Sequence, residues 1–221
     1  MSRALQWLLA LLLLSLGVGL GGVVLQLPDV ATPLPALVER HLPETGVENP
    51  VTAVLLNYRG YDTLLELVVL LLALLGAWGL SDTGVEARLC AAPPLLSVLV
   101  DILVPALIVV ASYLLWVGAY SPGGAFQGGA VLAAAGVIMT LAGRPLQGRG
   151  LDRLMEWALL PGIAVFVAVG IVGLYVRGSF LAYPHDLAGT LILLIEAFAM
   201  LSIAVTLHTL FAGSARMERA A

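Results

Sequence analysis

Three carboxylates, Glu66, Asp101 and Glu196, lie inside long apolar runs of the chain. An ionisable side chain is costly to hold in hydrocarbon, so each is a candidate for handling a proton or a cation. Glu196 is the strongest of the three. It is ten residues into the last run, about 15 Å along a helix, which is near the midplane of a bilayer. Insertion scales put an acid there at about 2.5–3.5 kcal/mol, and protonation is the usual way to reduce that penalty. No basic residue of the chain falls at that depth. Asp101 has a second feature, because Pro105 has no N–H and so leaves the Asp101 carbonyl without its helical partner. Ser97, Asp101, Pro105 and Ser112 fall near one face, so a carboxylate and a free carbonyl meet at one level. That pair could belong to an ion path, or an arginine or serine of another helix could satisfy it. Glu66 stands one turn after Asp62, either in an ion path or beside the positive end of a helix.

Other chemistry finds little support in the residues. No nucleophile–base set, metal-ligand spacing or nucleotide-binding motif is present, so no enzyme, cofactor or metal site is expected. The one cysteine, Cys90, rules out an intrachain disulfide and a cysteine-built metal site. All ten basic residues are arginines, and they form no run that would suggest nucleic acid.

Composition says what must position the acids. Of 221 residues 61% are hydrophobic and 11% charged, against roughly 25% charged in a soluble domain. The chain is therefore expected to be an all-α integral membrane protein. About six transmembrane helices are predicted, at residues 5–25, 63–80, 95–117, 126–142, 154–175 and 186–211. The first is expected as a retained helix, since its apolar run is long for a signal peptide and lacks a small-x-small cleavage site. Seven arginines (Arg3, Arg88, Arg144, Arg149, Arg153, Arg216, Arg219) fall on one side of this scheme and three (Arg40, Arg59, Arg177) on the other. Both termini are thus expected to be cytoplasmic. The one long connection, residues 26–62, is expected on the outer face, mostly extended with a short amphipathic helix near residues 35–41. Asp62 reads as the N-cap of the second span, and Pro161-Gly162 as a kink in the fifth.

The densest local signal is Ser121-Pro-Gly-Gly-Ala-Phe-Gln-Gly-Gly129. Pro122, Gly123 and Gly124 predict a tight turn. Beyond it Ala125, Gly129, Ala133, Gly136, Thr140 and Gly143 recur at spacings of three and four, a small-residue face that lets helix backbones approach closely. A turn followed by a packing helix would account for this much.

This motif, with Phe126, Gln127, Gly128 and Gly129, preceded by a helix holding Pro105, Tyr113 and Gly118, resembles the MnhB-type subunit of Mrp multisubunit cation/proton antiporters. That family writes the turn as SPGGGFQGG, usually after Gly-His. Here Ala125 replaces a glycine and Ala119 replaces the histidine, so no proton role carries over from that histidine. Glu196 falls where the family's last helix has a buried acid. A second stretch, from Asn49-Pro50 to Glu66, resembles the C-terminal end of the large MrpA-type polypeptide and a small subunit of membrane-bound hydrogenases. Arg59, Gly60, Asp62, Thr63 and Glu66 match that pattern, while Asn57 replaces an acid and Tyr58 and Tyr61 replace phenylalanines.

The resemblance implies residues 1–90 like the C-terminal tail of that large polypeptide, with two helices and the long loop, fused to a four-helix MnhB-like part at 91–221. It implies a bacterial or archaeal cell membrane, Na⁺ and H⁺ as the ions, and large proton-channel subunits and small membrane subunits as partners. The large subunits use buried lysines, and this chain has none. The expected role is an accessory subunit that lines or seals the ion path, with Glu66, Asp101 and Glu196 as ion-handling candidates. A membrane-arm subunit of a respiratory complex or membrane-bound hydrogenase, a structural scaffold and a self-sufficient small transporter are the alternatives.

Overall fold

The computed structural model describes residues 3–26, 34–80, 94–144 and 149–212. The expected junction at residues 90 and 91 lies outside them, as do Arg88, Cys90, Arg216 and Arg219. The described residues are helical and contain no strand. Residues 1–37 and 38–221 form two compact units. The first contains α1 (Arg3–Leu25), whose apolar residues surround it on all sides, as a membrane span requires.

A short helix, α2 (Leu34–His41), appears where the amphipathic pattern predicts one. The connection after it is not extended. A 3₁₀ turn (Leu42–Glu44), α3 (Pro50–Ala53) and a π-helical turn (Val54–Tyr58) lead directly into α4 (Gly60–Leu80). Asn49 explains α3: its side chain accepts the Val51 N–H at 3.1 Å, and Pro50 fills the first helical position, where no N–H is needed. The wide π turn continues the helix, so α4 begins two residues before Asp62. Asp62 is then not a cap; it pairs with Arg59 one turn back. Thr63 Oγ1 donates to the Leu55 carbonyl at 2.7 Å, taking up an acceptor at the π-to-α junction.

The second unit is organised around α9 (Ala188–Ala212). It touches α4, α5 (Pro94–Val117), α6 (Ala125–Leu141), the short α7 (Arg149–Ala158) and α8 (Pro161–Arg177). Its buried residues, among them Ile192, Ile195, Glu196, Met200, Ser202, Thr206 and Thr209, point in all directions, as in a helix at the centre of a bundle. Among the described residues five stretches are long and apolar enough to cross a membrane, one of them (Arg153–Arg177) made of most of α7 together with α8, and α6 is a shorter apolar helix. At 17 residues α6 is about 25 Å long. The protein is a multi-pass membrane protein. Bundle faces such as that of Val98, Ile102 and Val109 on α5 are correspondingly apolar and exposed.

The small face of α6 does what its spacing predicts. A Cβ on Gly129 would lie 2.9 Å from Ile203 Cβ, and one on Gly136 would lie 2.8 Å from His208 Nδ1. The helices α6 and α9 therefore meet backbone to side chain. Thr140 ends the buried face. Gly143 is past the helix, at φ +72°, where its N–H bonds to Thr140 O and the Arg144 N–H to Met139 O. That pair of bonds is a Schellman cap, which glycine at this position favours.

The fifth predicted span is broken rather than kinked. Helix α7 ends at Ala158, and after two intervening residues Pro161 opens α8. Ser202 Oγ donates to the Leu159 carbonyl, so an acceptor that the break would leave unpaired is satisfied from α9.

Candidate functional site

Glu196 is 6% exposed, eight residues into α9, opposite the start of α6. The helix begins later than the sequence pattern suggests because His185–Leu187 forms a 3₁₀ turn. Oε1 accepts the N–H of Ala125, the first residue of α6, at 3.4 Å. An anion is favoured there, because the first N–H groups of a helix have no partner of their own and the helix dipole is positive at that end. Oε2 has no hydrogen-bond partner among the described residues. Leu67 of α4, Phe166 and Val169 of α8, and Ile192, Ile195, Ala199 and Ile203 of α9 form the apolar core of this region. No described basic side chain pairs with Glu196.

The glycine-rich motif makes this arrangement possible. Gly124 precedes α6 at φ +109° and ψ −169°, a conformation essentially confined to glycine. A Cβ there would also lie 2.6 Å from Glu196 Oε1. The tight turn itself is not at Pro122 but earlier, at residues 118–120, where the Tyr120 and Ser121 N–H groups return to Val117 O. Pro122 and Gly123 then carry the chain back until the Gly124 N–H reaches Leu114 O at 2.8 Å. Gly128 and Gly129 are buried, whereas Phe126 and Gln127 are on the outside.

The other predicted site residues are elsewhere. Asp101 is exposed and pairs with Arg144, which also donates to Ser97 Oγ at 2.6 Å. The arginine comes from the Schellman turn after α6, so the pair joins the start of α5 to the end of α6. Glu66 faces outward from α4 and has no hydrogen bond or ion pair among the described residues. Arg59 and Asp62 form an exposed pair. Gly60 is buried, and a Cβ on it would meet Leu181 Cδ1 at 2.6 Å. The structure thus brings Glu196 and the Ser121 motif together and leaves Glu66 and Asp101 on outer surfaces.

Sequence reasoning did not foresee two further groups. Asn49 and Thr52 are buried against the turn that precedes Gly124. The only local sign of them was the capping pattern Asn49-Pro50. His208 is buried in α9 beside Gly136, and a histidine inside an apolar run was the signal that could have found it. Tyr183, before α9, donates its hydroxyl to Leu56 O in the π turn at 2.9 Å; burial pushes its phenol up, which keeps it a donor.

Known proteins share this architecture. A chain in the structure of the Mrp complex from Dietzia sp. DQ12-45-1b matches with a TM-score of 0.63 at 24% identity, over 95% of this chain and 26% of that one. A chain of the membrane-bound sulfane sulfur reductase, an archaeal respiratory membrane complex, matches with a TM-score of 0.69 at 25% identity, over 94% of this chain and 97% of that one. An uncharacterised protein of Methanocaldococcus jannaschii is 26% identical over 168 residues, which is 66% of this chain and 64% of the relative. The chain therefore spans a little less than two thirds of that relative's length. A domain described as related to the MnhB subunit of Na⁺/H⁺ antiporter matches residues 95–215, more than half of the 221 residues and including both the Ser121 motif and Glu196. The chain belongs to the family of MnhB-related domains.

Proposed function

We propose that the chain is an accessory membrane subunit of a multisubunit cation/proton antiporter in a bacterial or archaeal cell membrane, where it helps line or seal the ion path. One observation carries this reading: a buried carboxylate is held at a helix N-terminus by a single N–H, with its second oxygen unpaired among the described residues. A carboxylate needed only for structure would be expected to have its acceptors filled. One with an open oxygen in an apolar surround can exchange a proton for a cation. Family membership and the likeness to an Mrp complex chain support the assignment. Other antiporter subunits would be its partners. Glu66, exposed on α4, then faces a neighbouring subunit, and the Asp101–Arg144 pair fastens α5 to α6.

A second reading has its own support. The sulfane sulfur reductase chain is matched over nearly its whole length, so the same fold serves as a separate chain of a respiratory complex. The Mrp complex chain is about four times longer than the part matched, which is consistent with an MrpA-tail-like part and an MnhB-like part, residues 1–90 and 91–221, within one polypeptide.

The test exchanges the carboxyl in the assembled complex. Glu196→Gln keeps shape and hydrogen bonding but cannot ionise, whereas Glu196→Asp ionises on a shorter stem. Expected in vesicles, with subunit content checked on the same membranes, are strong loss of antiport for Gln and partial retention with an altered pH optimum for Asp. Normal antiport by the Gln variant at every pH would remove Glu196 from the path.

A further inference from the structure

Residues 48–52, which cap and open α3, hold the turn that carries the Glu196 site. The backbone N–H groups of Glu48 and Asn49 both donate to Ala119 O at 2.9 Å. Asn49 Nδ2 donates to Gly118 O at 3.0 Å and Ser121 O at 2.9 Å. Thr52 Oγ1 donates to Gly118 O at 2.6 Å, and its oxygen lies 3.1 Å from Asn49 Nδ2, so that one of the two amide hydrogens is shared between it and a carbonyl. Both residues are 4% exposed. Three carbonyls of one turn are thus satisfied by a segment roughly seventy residues earlier in the chain.

The turn reaches Glu196 by two short routes. Along the chain, Ser121 is four residues from Ala125, whose N–H meets Oε1, and the Gly124 N–H is fixed on Leu114 O. Through space, Gly118 backs Gly124 so closely that a Cβ on Gly118 would lie 2.7 Å from Gly124 Cα. Gly118 is also the residue that Asn49 and Thr52 grip together. A shift of Gly118 is therefore passed to Gly124 and to the amide that faces the carboxylate.

Resting on the reading of Glu196 as the ion-handling group, we propose that Asn49 and Thr52 are positioning residues for Glu196: by fixing the turn at Gly118, they place the Ala125 N–H and so set the cation affinity of the carboxylate. A carboxylate whose donor drifts away must be stabilised by something else, and affinity for the exchanging ion changes with it. The same segment runs through α3 and the π turn into α4, so the site is tied to the helix that bears Glu66.

The experiment measures antiport of the whole complex in vesicles with Na⁺ as the probe cation. Thr52→Val removes the hydroxyl at nearly constant volume, and Thr52→Ser keeps it. Expected for Thr52→Val, and for Asn49→Asp, which loses the donors to Gly118 O and Ser121 O, is a change in apparent KM for Na⁺ of about fivefold to tenfold, as follows from weakening one hydrogen bond to a charged group. The maximal rate per assembled complex stays within about twofold, and Thr52→Ser behaves as wild type. Placed on Glu196→Asp, whose carboxylate is already withdrawn, Thr52→Val adds no further change in KM. An unchanged KM with lowered subunit content, or a Thr52→Ser variant as impaired as Thr52→Val, overturns the proposal. Wild-type antiport by Glu196→Gln overturns the reading beneath it as well, so the two failures are distinguishable.

Discussion

Gly124→Ala perturbs the site at its tightest point, and its effect can be worked from the geometry. At φ +109° and ψ −169° an alanine backbone is strained by about 1–3 kcal/mol. Its Cβ would stand 2.6 Å from Glu196 Oε1, several tenths of an ångström inside normal contact, so the carboxylate must move off the Ala125 N–H. That hydrogen bond is long at 3.4 Å, so the low end of the range for charged partners applies, about 1.5 kcal/mol. The total is about 2.5–4.5 kcal/mol, a large part of the stability of an ordinary domain. Glu196→Asp separates the two contributions, since it draws the carboxylate back by one methylene, about 1.5 Å. Dissociation temperature of the purified complex on native gels is the assay. Gly124→Ala is expected to lower it markedly, and the double variant to recover the clash component while retaining the strain component. A single variant as stable as wild type, or a double variant whose losses simply add, would refute the account of why glycine stands at this position.

Two other measurements test the architecture. In a Cys90→Ser background, Glu44→Cys is expected to be labelled by an impermeant thiol reagent from outside and Arg153→Cys only from the cytoplasm; the reverse pattern inverts the topology drawn from the arginines. A double-mutant cycle between Asp101→Asn and Arg144→Gln in detergent is expected to give a coupling of at most about 1 kcal/mol, as for exposed ion pairs. A coupling of about 3 kcal/mol or more would mean the pair is dry and belongs to the protein interior.

How much of this was legible beforehand depends on the range of each interaction. Gly129, Ala133, Gly136 and Thr140 announce a close helix contact because their spacing is local, and all four are buried. Pro161 forecasts a disruption for the same reason, although only the Ser202 hydroxyl on α9 makes a complete break tolerable. Glu196 was legible as a deep acid because an ionisable group in an apolar run is conspicuous. That Glu66 turns outward was not, since the apolar residues of α4 surround it and offer no distinct face to place it by. The grip of Asn49 and Thr52 was invisible for another reason. A cap uses the asparagine oxygen and is written within three residues, but the amide nitrogen finds its acceptors around Gly118 only after the bundle has closed. The shift of the turn from Pro122 back to residues 118–120 has the same origin, because those carbonyls are paired by residues 48–52 rather than by their neighbours.

The position of Glu196 along α9 has an electrical consequence. It lies eight residues after Ala188 and sixteen before Ala212, one third of the way along the helix. A unit charge crossing the full membrane field gains or loses about 2.3 kcal/mol per 100 mV. With α9 spanning that field, an ion that reaches the carboxylate from the Ala188 end works against only about 0.8 kcal/mol per 100 mV, and one from the Ala212 end against about 1.5. On the proposed ion path the carboxylate is then an electrically asymmetric station: of the two half-journeys of a charge that stops there, the one on the Ala212 side responds about twice as strongly to the membrane potential.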